Sequence, residues 1–333
     1  MKICIYGAGN IGCYLGGRLV AIGCDVQFIV RPRIRQQLQQ YGLTVSDYLG
    51  YQQTIAANQL QLSDDPQVAA QADIIFVCVK SAATAHVAHD LKTVLRNKPL
   101  IISFQNGLRN TEILKQILPN QTILAGMVTF NVAALGKGRF HQGTEGELYI
   151  KQNDALHELM NVFKTAGLEL KLEPDMQAVQ WAKLILNLNN AVNALSQLPL
   201  KQQLSIRAYR QCLAMVQMEA LRLLKIAHIQ PAQLTALPAQ IVPVVLRLPD
   251  FIFNVVSKKM LAIDPLARSS MADDLMAGRT TEIDWINGEV VRLAEQLNLE
   301  APINAKLIQL VKQAETSPQA WSAQALKQQL EIV

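Results

Sequence analysis

Six residues near the start of the chain, Gly7-Ala8-Gly9-Asn10-Ile11-Gly12, have the types and spacing of a turn that can hold a diphosphate. They follow the apolar run Lys2-Ile3-Cys4-Ile5-Tyr6 directly and lead into Ile11, Leu15, Leu19 and Ile22, which recur at helical spacing. A G-x-G-x-x-G between a strand and a helix is a dinucleotide-binding fingerprint. Gly7 would make the tight turn, Gly9 would let the backbone approach the diphosphate, and Gly12 would let the helix lie close to the strand. The backbone of Ala8, Asn10 and Ile11 completes the turn, with the helix N-terminus facing the phosphates. The alternative is a plain glycine turn between an ordinary strand and helix.

In such a fold the end of the second strand reads the adenosine ribose. A carboxylate there accepts from the 2′-hydroxyl of NAD, whereas arginine accommodates the 2′-phosphate of NADP. Here Phe28-Ile29-Val30 is followed by Arg31-Pro32-Arg33-Ile34-Arg35, with no carboxylate. Arg31 is the expected partner of a 2′-phosphate, with Arg33 or Arg35 assisting, and the expected cofactor is NADPH. A solvated basic loop is the competing reading.

Two more polar residues stand just past strand ends, where open α/β sheets bind ligands: Lys80 after Phe76-Val77-Cys78-Val79, and Asn106 in Phe104-Gln105-Asn106-Gly107. The lysine could attract a substrate carboxylate, and the asparagine could orient a nicotinamide or a reacting carbonyl. A surface lysine and a turn asparagine are the bland alternatives. Further on, Lys183, Asn187 and Asn190 stand at i, i+4 and i+7 of a mainly apolar segment, so they share one helical face. Such groups need partners, water or a ligand if buried. A last cluster runs from Arg268-Ser269-Ser270-Met271 to Thr281-Glu282-Ile283-Asp284. Thr281 with Asp284 predicts a capping box, with Glu282 in the first turn and Ile283, Ile286, Val290, Leu293 and Leu297 as the buried face.

The elements that must position these residues fall into two halves. Strands are expected at Lys2 to Tyr6, Asp25 to Val30, Ile74 to Val79, Leu100 to Ser103 and Ile123 to Val128, alternating with helical patterns as a parallel doubly wound sheet requires. A strand at Glu147 to Lys151, a helix near Ala155 to Ala166 and a strand near Leu168 to Leu172 close this half. Beyond Pro174, the expected hinge, apolar spacing predicts helices over Gln177 to Gln197, Ile206 to Ile226, Ser269 to Ala277 and Thr281 to Leu297. The five prolines from Pro231 to Pro265 predict short helices joined by bends. The fold class is therefore α/β, with a Rossmann-type dinucleotide-binding domain over residues 1–173 and an all-helical domain over 174–333.

At 333 residues, half of them apolar, the chain can bury two cores. Its net charge of +5 is spread without a basic run, which favours small anions over nucleic acid as partners. The five cysteines form no C-x-x-C pair, a reducing-compartment pattern, and no metal site is expected. Met1 leads at once into a strand and no apolar stretch reaches spanning length, so a cytoplasmic protein without a membrane partner is expected.

Taken together, Gly7-Ala8-Gly9-x-x-Gly12, Val79-Lys80, Gln105-Asn106-Gly107, Trp181-x-Lys183-Leu184 with Asn187, and Ser270-Met271 with the run from Thr281 to Gly288 resemble the ketopantoate reductase (2-dehydropantoate 2-reductase) family. The resemblance spans nearly the whole chain. It implies an NADPH-binding domain followed by a helical domain, an active site in the cleft between them, and reduction of a 2-oxo acid to a 2-hydroxy acid in pantothenate and coenzyme A synthesis. By position, Lys183 resembles the family's catalytic lysine and Glu282 its partner carboxylate. Ser270 resembles a substrate-carboxylate ligand and Asn187 a substrate-hydroxyl ligand. Lys80 and Asn106 are expected to meet both substrate and cofactor, and Glu282 the cofactor. The chain departs from the pattern at Ala191, where the family's second asparagine falls, so Asn190 or Asn193 must substitute, and at Ala267. Both departures touch substrate positions, which leaves another 2-oxo acid open as substrate. An NADPH sensor without catalysis is the reading from another class, and a monomer or homodimer is the family-level expectation.

Overall fold

The computed structural model describes residues 1–256 and 267–332. It divides into two compact units, Met1–Met176 and Gln177–Val333. The division falls just beyond Pro174; the Pro174 carbonyl accepts from Lys151 Nζ, and Asp175 N donates to Glu173 Oε1 at 2.9 Å.

The first unit runs β1 (Lys2–Tyr6), α1 (Asn10–Ala21), β2 (Asp25–Ile29), α2 (Pro32–Tyr41), β3 (Leu43–Asp47), β4 (Gln52–Ile55), β5 (Gln61–Ser63), β6 (Ile74–Val77), α3 (Thr84–Val94), β7 (Leu100–Ser103), α4 (Asn110–Ile117), β8 (Ile123–Val128), β9 (Val132–Gly136), β10 (Arg139–Gln142), β11 (Leu148–Lys151), α5 (His157–Thr165) and β12 (Leu170–Glu173). The main sheet is ordered β12-β11-β8-β7-β6-β1-β2-β5, with β1, β2, β5, β6, β7 and β8 parallel and β11 antiparallel to β8. Its first six strands in chain order thus run third, second, first, fourth, fifth, sixth. That is the doubly wound order, with its switch point between β1 and β6. Ile-rich β6 and β7 are buried throughout, which is why they read as continuous apolar runs and not as alternating ones.

A second, four-stranded sheet, β4-β3-β10-β9, was not legible in the sequence. It explains a departure from the expected face of α1, which is buried all round from Gly12 to Leu19 while Ile22 at its end is exposed. The helix lies against both sheets. A Cβ at Gly16 would meet Phe28 of β2 at 2.2 Å, and one at Gly17 would meet Val45 of β3 at 2.6 Å. Arg18 fastens the sandwich from within. Its guanidinium donates to the Ala166 and Gly167 carbonyls at 2.9 and 3.0 Å, pairs with Asp47 at 3.2 Å and lies over the Tyr51 ring.

The second unit, among its described residues, is built of helices and connections: α6 (Met176–Asn187, beginning at the boundary), α7 (Asn189–Ser196), α8 (Leu200–Ser205), α9 (Arg207–Ile226), α10 (Val242–Leu246), α11 (Asp250–Val256), α12 (Ser270–Met276), α13 (Ile283–Gln296), α14 (Pro302–Thr316) and α15 (Ala323–Glu331). The single helix expected over Gln177 to Gln197 is divided at Leu188 into α6 and α7. The proline-rich stretch holds two short helices, α10 and α11, and its residues 257–266 lie outside the described residues. Among the described residues no helix is long and apolar enough to cross a membrane.

The fixed point of this unit is Arg210, fully buried on α9. All its N–H groups are used. Nε donates to Leu246 O (3.1 Å), Nη1 to the Leu204 and Ser205 carbonyls (3.0 and 3.1 Å), and Nη2 to Leu248 O (3.0 Å) and Asp250 Oδ1 (2.7 Å). One side chain therefore terminates α8, α10 and the approach to α11. Arg210→Ala would leave these carbonyls without donors in a dry site and is expected to cost about 3 kcal/mol or more in urea denaturation.

Candidate active site

The nucleotide end of the first unit begins at the fingerprint. Gly7 has φ +98°, and a Cβ there would lie 2.4 Å from Val79 Cγ1, so the turns after β1 and β6 pack against each other. A Cβ at Gly12 would meet the Gly7 carbonyl at 2.5 Å, whereas one at Gly9 would meet nothing within 4 Å. The close contacts belong to Gly7 and Gly12, and the open space is at Gly9.

Hydrogen bonding divides the motif further. Gly7 N and Ala8 N both donate to Ile29 O, at 3.1 and 3.2 Å, and Gly9 N donates to Gly7 O at 2.8 Å. These three shape the turn. The helical ladder starts with Cys13 N donating to Gly9 O at 2.8 Å, so the amides of Asn10, Ile11 and Gly12 precede it. No side chain caps α1 and no acid stands in its first turn. An uncapped helix start beside an open glycine suits an anion. The Asn10 side chain is itself committed, donating to Val132 O of β9 at 3.0 Å.

Arg31 is exposed at the N-cap of α2, immediately beyond β2 and Val30. Arg33 is exposed beside it, while Arg35 is taken up by Asp64 at 2.7 Å. Of the three arginines, Arg35 is thus the one already engaged by a carboxylate.

Lys80 and Asn106 are brought together by a buried network that sequence reading missed. The Ser81 hydroxyl donates to Asn106 O at 2.5 Å, and Asn110 Nδ2 donates to the same carbonyl at 2.6 Å and to Ser81 Oγ at 3.1 Å. Gln105 Nε2 donates to Val79 O (3.1 Å) and Thr84 Oγ1 (2.8 Å). The Thr84 hydroxyl in turn lies 2.7 Å from Ser81 O and 2.9 Å from Asn110 Oδ1. Ser81, Thr84, Gln105 and Asn110 are all buried, and Gly107 turns the chain at φ +93°. The two turns after β6 and β7 are thereby one polar cluster. The spacings Ser81-x-x-Thr84 and Asn106-Gly107-x-x-Asn110 were its only trace in the sequence.

In the second unit Lys183 is 7% exposed on α6, between buried Trp181, Ala182, Leu184 and Ile185. Burial disfavours its charged form and brings its pKa down to about 8. The unfolded chain therefore holds this proton more tightly, and the group's contribution to stability rises as pH increases through about 8. The backbone of α6 is held from α9, where Gln217 Nε2 donates to Ile185 O at 3.1 Å.

Asn187 and Asn190 are half-buried, on either side of the division at Leu188. Asn193 is engaged within the helical unit. It is fully buried, its Oδ1 accepts from Ser269 N and its Nδ2 donates to Leu198 O, both at 2.9 Å, so each end of the amide has a partner within the unit. The Asn190 carbonyl accepts from Ser269 Oγ at 3.3 Å. Ser269 caps α12 by accepting from Ala272 N at 3.1 Å, which leaves Ser270 exposed at the first helical position. The Ala267 carbonyl accepts from Leu200 N at 2.8 Å, and Arg268 donates to Gln197 O at 2.8 Å. The start of α12 is thus moored to the end of α7, close to Asn190.

The capping box at Thr281 is not formed. Thr281 Oγ1 accepts from Ile283 N at 3.3 Å, and Thr281 N donates to Glu315 of α14 at 2.7 Å. Asp284 pairs instead with Lys312 at 2.8 Å. Glu282 stands at the N-cap of α13, not inside its first turn, and its half-buried side chain does not cap its own helix. Ile283, Ile286, Val290 and Leu293 form the buried face as expected, and Leu297 is half-buried.

Sequence profiles of the ketopantoate reductase PanE/ApbA family match residues 3–155, and those of its C-terminal region match residues 175–315. The chain belongs to the ketopantoate reductase family. It is accordingly an oxidoreductase of the class that acts on CH–OH groups. The 2-dehydropantoate 2-reductase of Pyrococcus horikoshii is 29% identical over 326 residues, covering 95% of this chain and 98% of that protein. A ketopantoate reductase of the family from Ralstonia eutropha superposes with a TM-score of 0.81 at 29% identity, over 96% of this chain and 99% of that one. A D-mandelate dehydrogenase solved with NADH and anilino(oxo)acetate shares the fold, with a TM-score of 0.78 at 21% identity over 96% and 99% of the two chains.

Asn110→Ala would remove the amide that joins the two turns and leave buried polar groups without partners. It is expected to lower stability by about 2 kcal/mol in chemical denaturation.

Proposed function

We propose that the protein reduces 2-dehydropantoate to pantoate with NADPH, the first unit binding the cofactor and the second carrying the proton donor and substrate ligands. The observation that carries this reading is Lys183, a buried ammonium on an apolar helix with its pKa brought down to about 8. In a family of 2-oxo acid reductases, such a group is suited to protonate the oxygen of a carbonyl as it is reduced.

The bound cofactor supplies a hydride to C2 of the 2-oxo acid. Lys183 Nζ then meets the negative charge that develops on the carbonyl oxygen, first as a donor and then by giving up its proton, so that ketone, hydride and proton balance as a hydroxyl. Desolvation makes the proton easier to release than from an exposed lysine. Ser270, at the first position of α12, holds the substrate carboxylate, and Asn187 with Asn190 holds its hydroxyl, fixing one orientation. Glu282, at the N-cap of α13, maintains the charge of Lys183. Asn106 and Lys80, fastened by the Ser81 and Asn110 network, orient the carbonyl and the nicotinamide. The amides at Asn10, Ile11 and Gly12 take the diphosphate, and Arg31 takes the 2′-phosphate.

A different 2-oxo acid is the second reading. It is supported by Ala191, fully buried where the family places an asparagine, and by the internal use of Asn193.

The test is NADPH oxidation with 2-dehydropantoate beside a panel of branched and hydroxylated 2-oxo acids. Preference for 2-dehydropantoate is expected; turnover confined to another acid would transfer the assignment to the second reading, and tight NADPH binding without turnover would leave a sensor. Lys183→Ala is expected to lower kcat by about two orders of magnitude or more. In the parent protein kcat/KM should fall as pH rises through about 8, because the protonated donor is lost. A profile flat between about pH 7 and 9 would remove Lys183 from this role.

Cofactor preference is tested separately. Arg31→Ala should lower kcat/KM with NADPH by about tenfold or more while leaving NADH nearly unchanged, since only the former carries the phosphate that the guanidinium binds. An equal loss with both would refute the assignment.

A further inference from the structure

The outer face of α9 forms the floor of two adjoining cavities, of about 760 and 630 Å³, that share Met218, Arg222 and Arg247 and so make one trough. Neither contains any residue of the candidate active site. Each volume falls in the range of small-molecule sites. The larger cavity is lined by Met218, Leu221, Leu224, Ile229, Pro243 and Val244, an apolar surface with an adaptable methionine at its centre.

The charge of the trough is one-sided. Arg222, Lys225 and Arg247 line the larger cavity together with the His228 imidazole, and among the described residues no carboxylate does. The smaller contains Glu219 and Glu331, but both are committed. Glu219 accepts from Ile303 N and Asn304 N at 3.0 and 2.8 Å, holding the start of α14, and Glu331 pairs with Lys327 at 3.3 Å. Lys225 also stands in the last turn of α9, where it offsets the negative pole of the helix.

Arg222 and Arg247 are left with most of their donors unused. Arg222 Nη2 reaches only Glu300 O at 3.3 Å, and Arg247 Nη1 only Met218 Sδ at 3.9 Å, with no carboxylate at ion-pair distance from either among the described residues. In the same unit Arg210, Arg279 and Arg292 each face a carboxylate, at 2.7, 3.0 and 3.2 Å. The Arg247 backbone is nonetheless fixed, its carbonyl accepting from Arg207 Nε and Nη2 at 3.2 and 3.1 Å. Its guanidinium is presented from a held position over the apolar floor.

We propose that this trough binds an amphipathic anion, an acyl chain bearing a carboxylate or phosphate head. The chain lies over Met218, Leu221 and Val244, and the head is held by the guanidinium groups of Arg222 and Arg247. The inference is independent of the reductase reading, since it uses none of the same residues.

Calorimetric titration of the full chain would use decanoate and decyl phosphate, both below their micelle concentrations, with decyltrimethylammonium and inorganic phosphate as controls. One saturable site is expected for an acyl anion, at least tenfold tighter than for either control, and the carboxylate and phosphate arms identify the preferred head. Arg247→Gln and Arg222→Gln should each weaken it at least tenfold with unchanged thermal melting, as both side chains are outside the core. The proposal is overturned by no saturable binding, by equal binding of the decyl cation, or by arginine variants that bind like the parent. It is also overturned if the chain dimerises in sedimentation and dimer formation excludes decanoate, which would assign the trough to a second copy.

Discussion

The first unit depends on how closely one helix can approach two sheets. Helix α1 has β1 and β2 on one side and β3 on the other, and the distance to each is set where the helix has no side chain. At Gly12, Gly16 and Gly17 any Cβ would stand under 3 Å from a neighbour. Such contacts leave no room for adjustment in an interior packed to crystal-like density. The helix is therefore fixed in height and rotation, and its N-terminus is delivered to one place beside the turn after β1. Arg18 completes the arrangement from inside by reaching Asp47 in one direction and the carbonyls after α5 in the other. The placing of the helix N-terminus and the sandwich are consequences of the same packing.

The second unit solves a different problem, that of burying cations. Arg210 and Lys183 are both nearly inaccessible, yet they are treated oppositely. Arg210 is surrounded by carbonyl oxygens and a carboxylate that use every donor, so its charge is structural. Lys183 sits in a mainly apolar stretch of α6, where burial weakens its hold on the proton. A guanidinium cannot be deprotonated in a protein, whereas an ammonium can. Residue type and surroundings thus separate the cation that shapes the fold from the one able to take part in chemistry.

Much of this was legible in the sequence where local pattern and final environment agree. The apolar strands β1, β6, β7 and β8 and the turn at Gly7 were readable because a buried parallel strand needs only a run of apolar residues and a fingerprint turn needs glycine at fixed intervals. The second sheet was not, since β4 is polar but for Ile55, β9 is apolar in sequence yet largely exposed, and the sheet is joined by the pairing of β3 with β10, which are far apart in the chain. In the candidate site, Lys183 stood out as a charge on an apolar helix. Asn193 carried no such mark: spacing alone did not show that its amide anchors the start of the next helix. The Ser81, Thr84, Gln105 and Asn110 cluster was hidden because its members are ordinary turn residues until the two loops meet.

The carbonyl of Ile29 accepts from both Gly7 and Ala8, and Arg31 follows only two positions later in the chain. The glycine turn proposed for the diphosphate and the segment proposed for the ribose are therefore mounted on the same strand terminus and share its position. The side chain of Arg31, in contrast, is exposed and supports nothing in the turn. With the role proposed for Arg31, that separation makes the choice between the two nicotinamide cofactors a replaceable fitting on a fixed mount, open to redesign without a rebuilt fold beneath it.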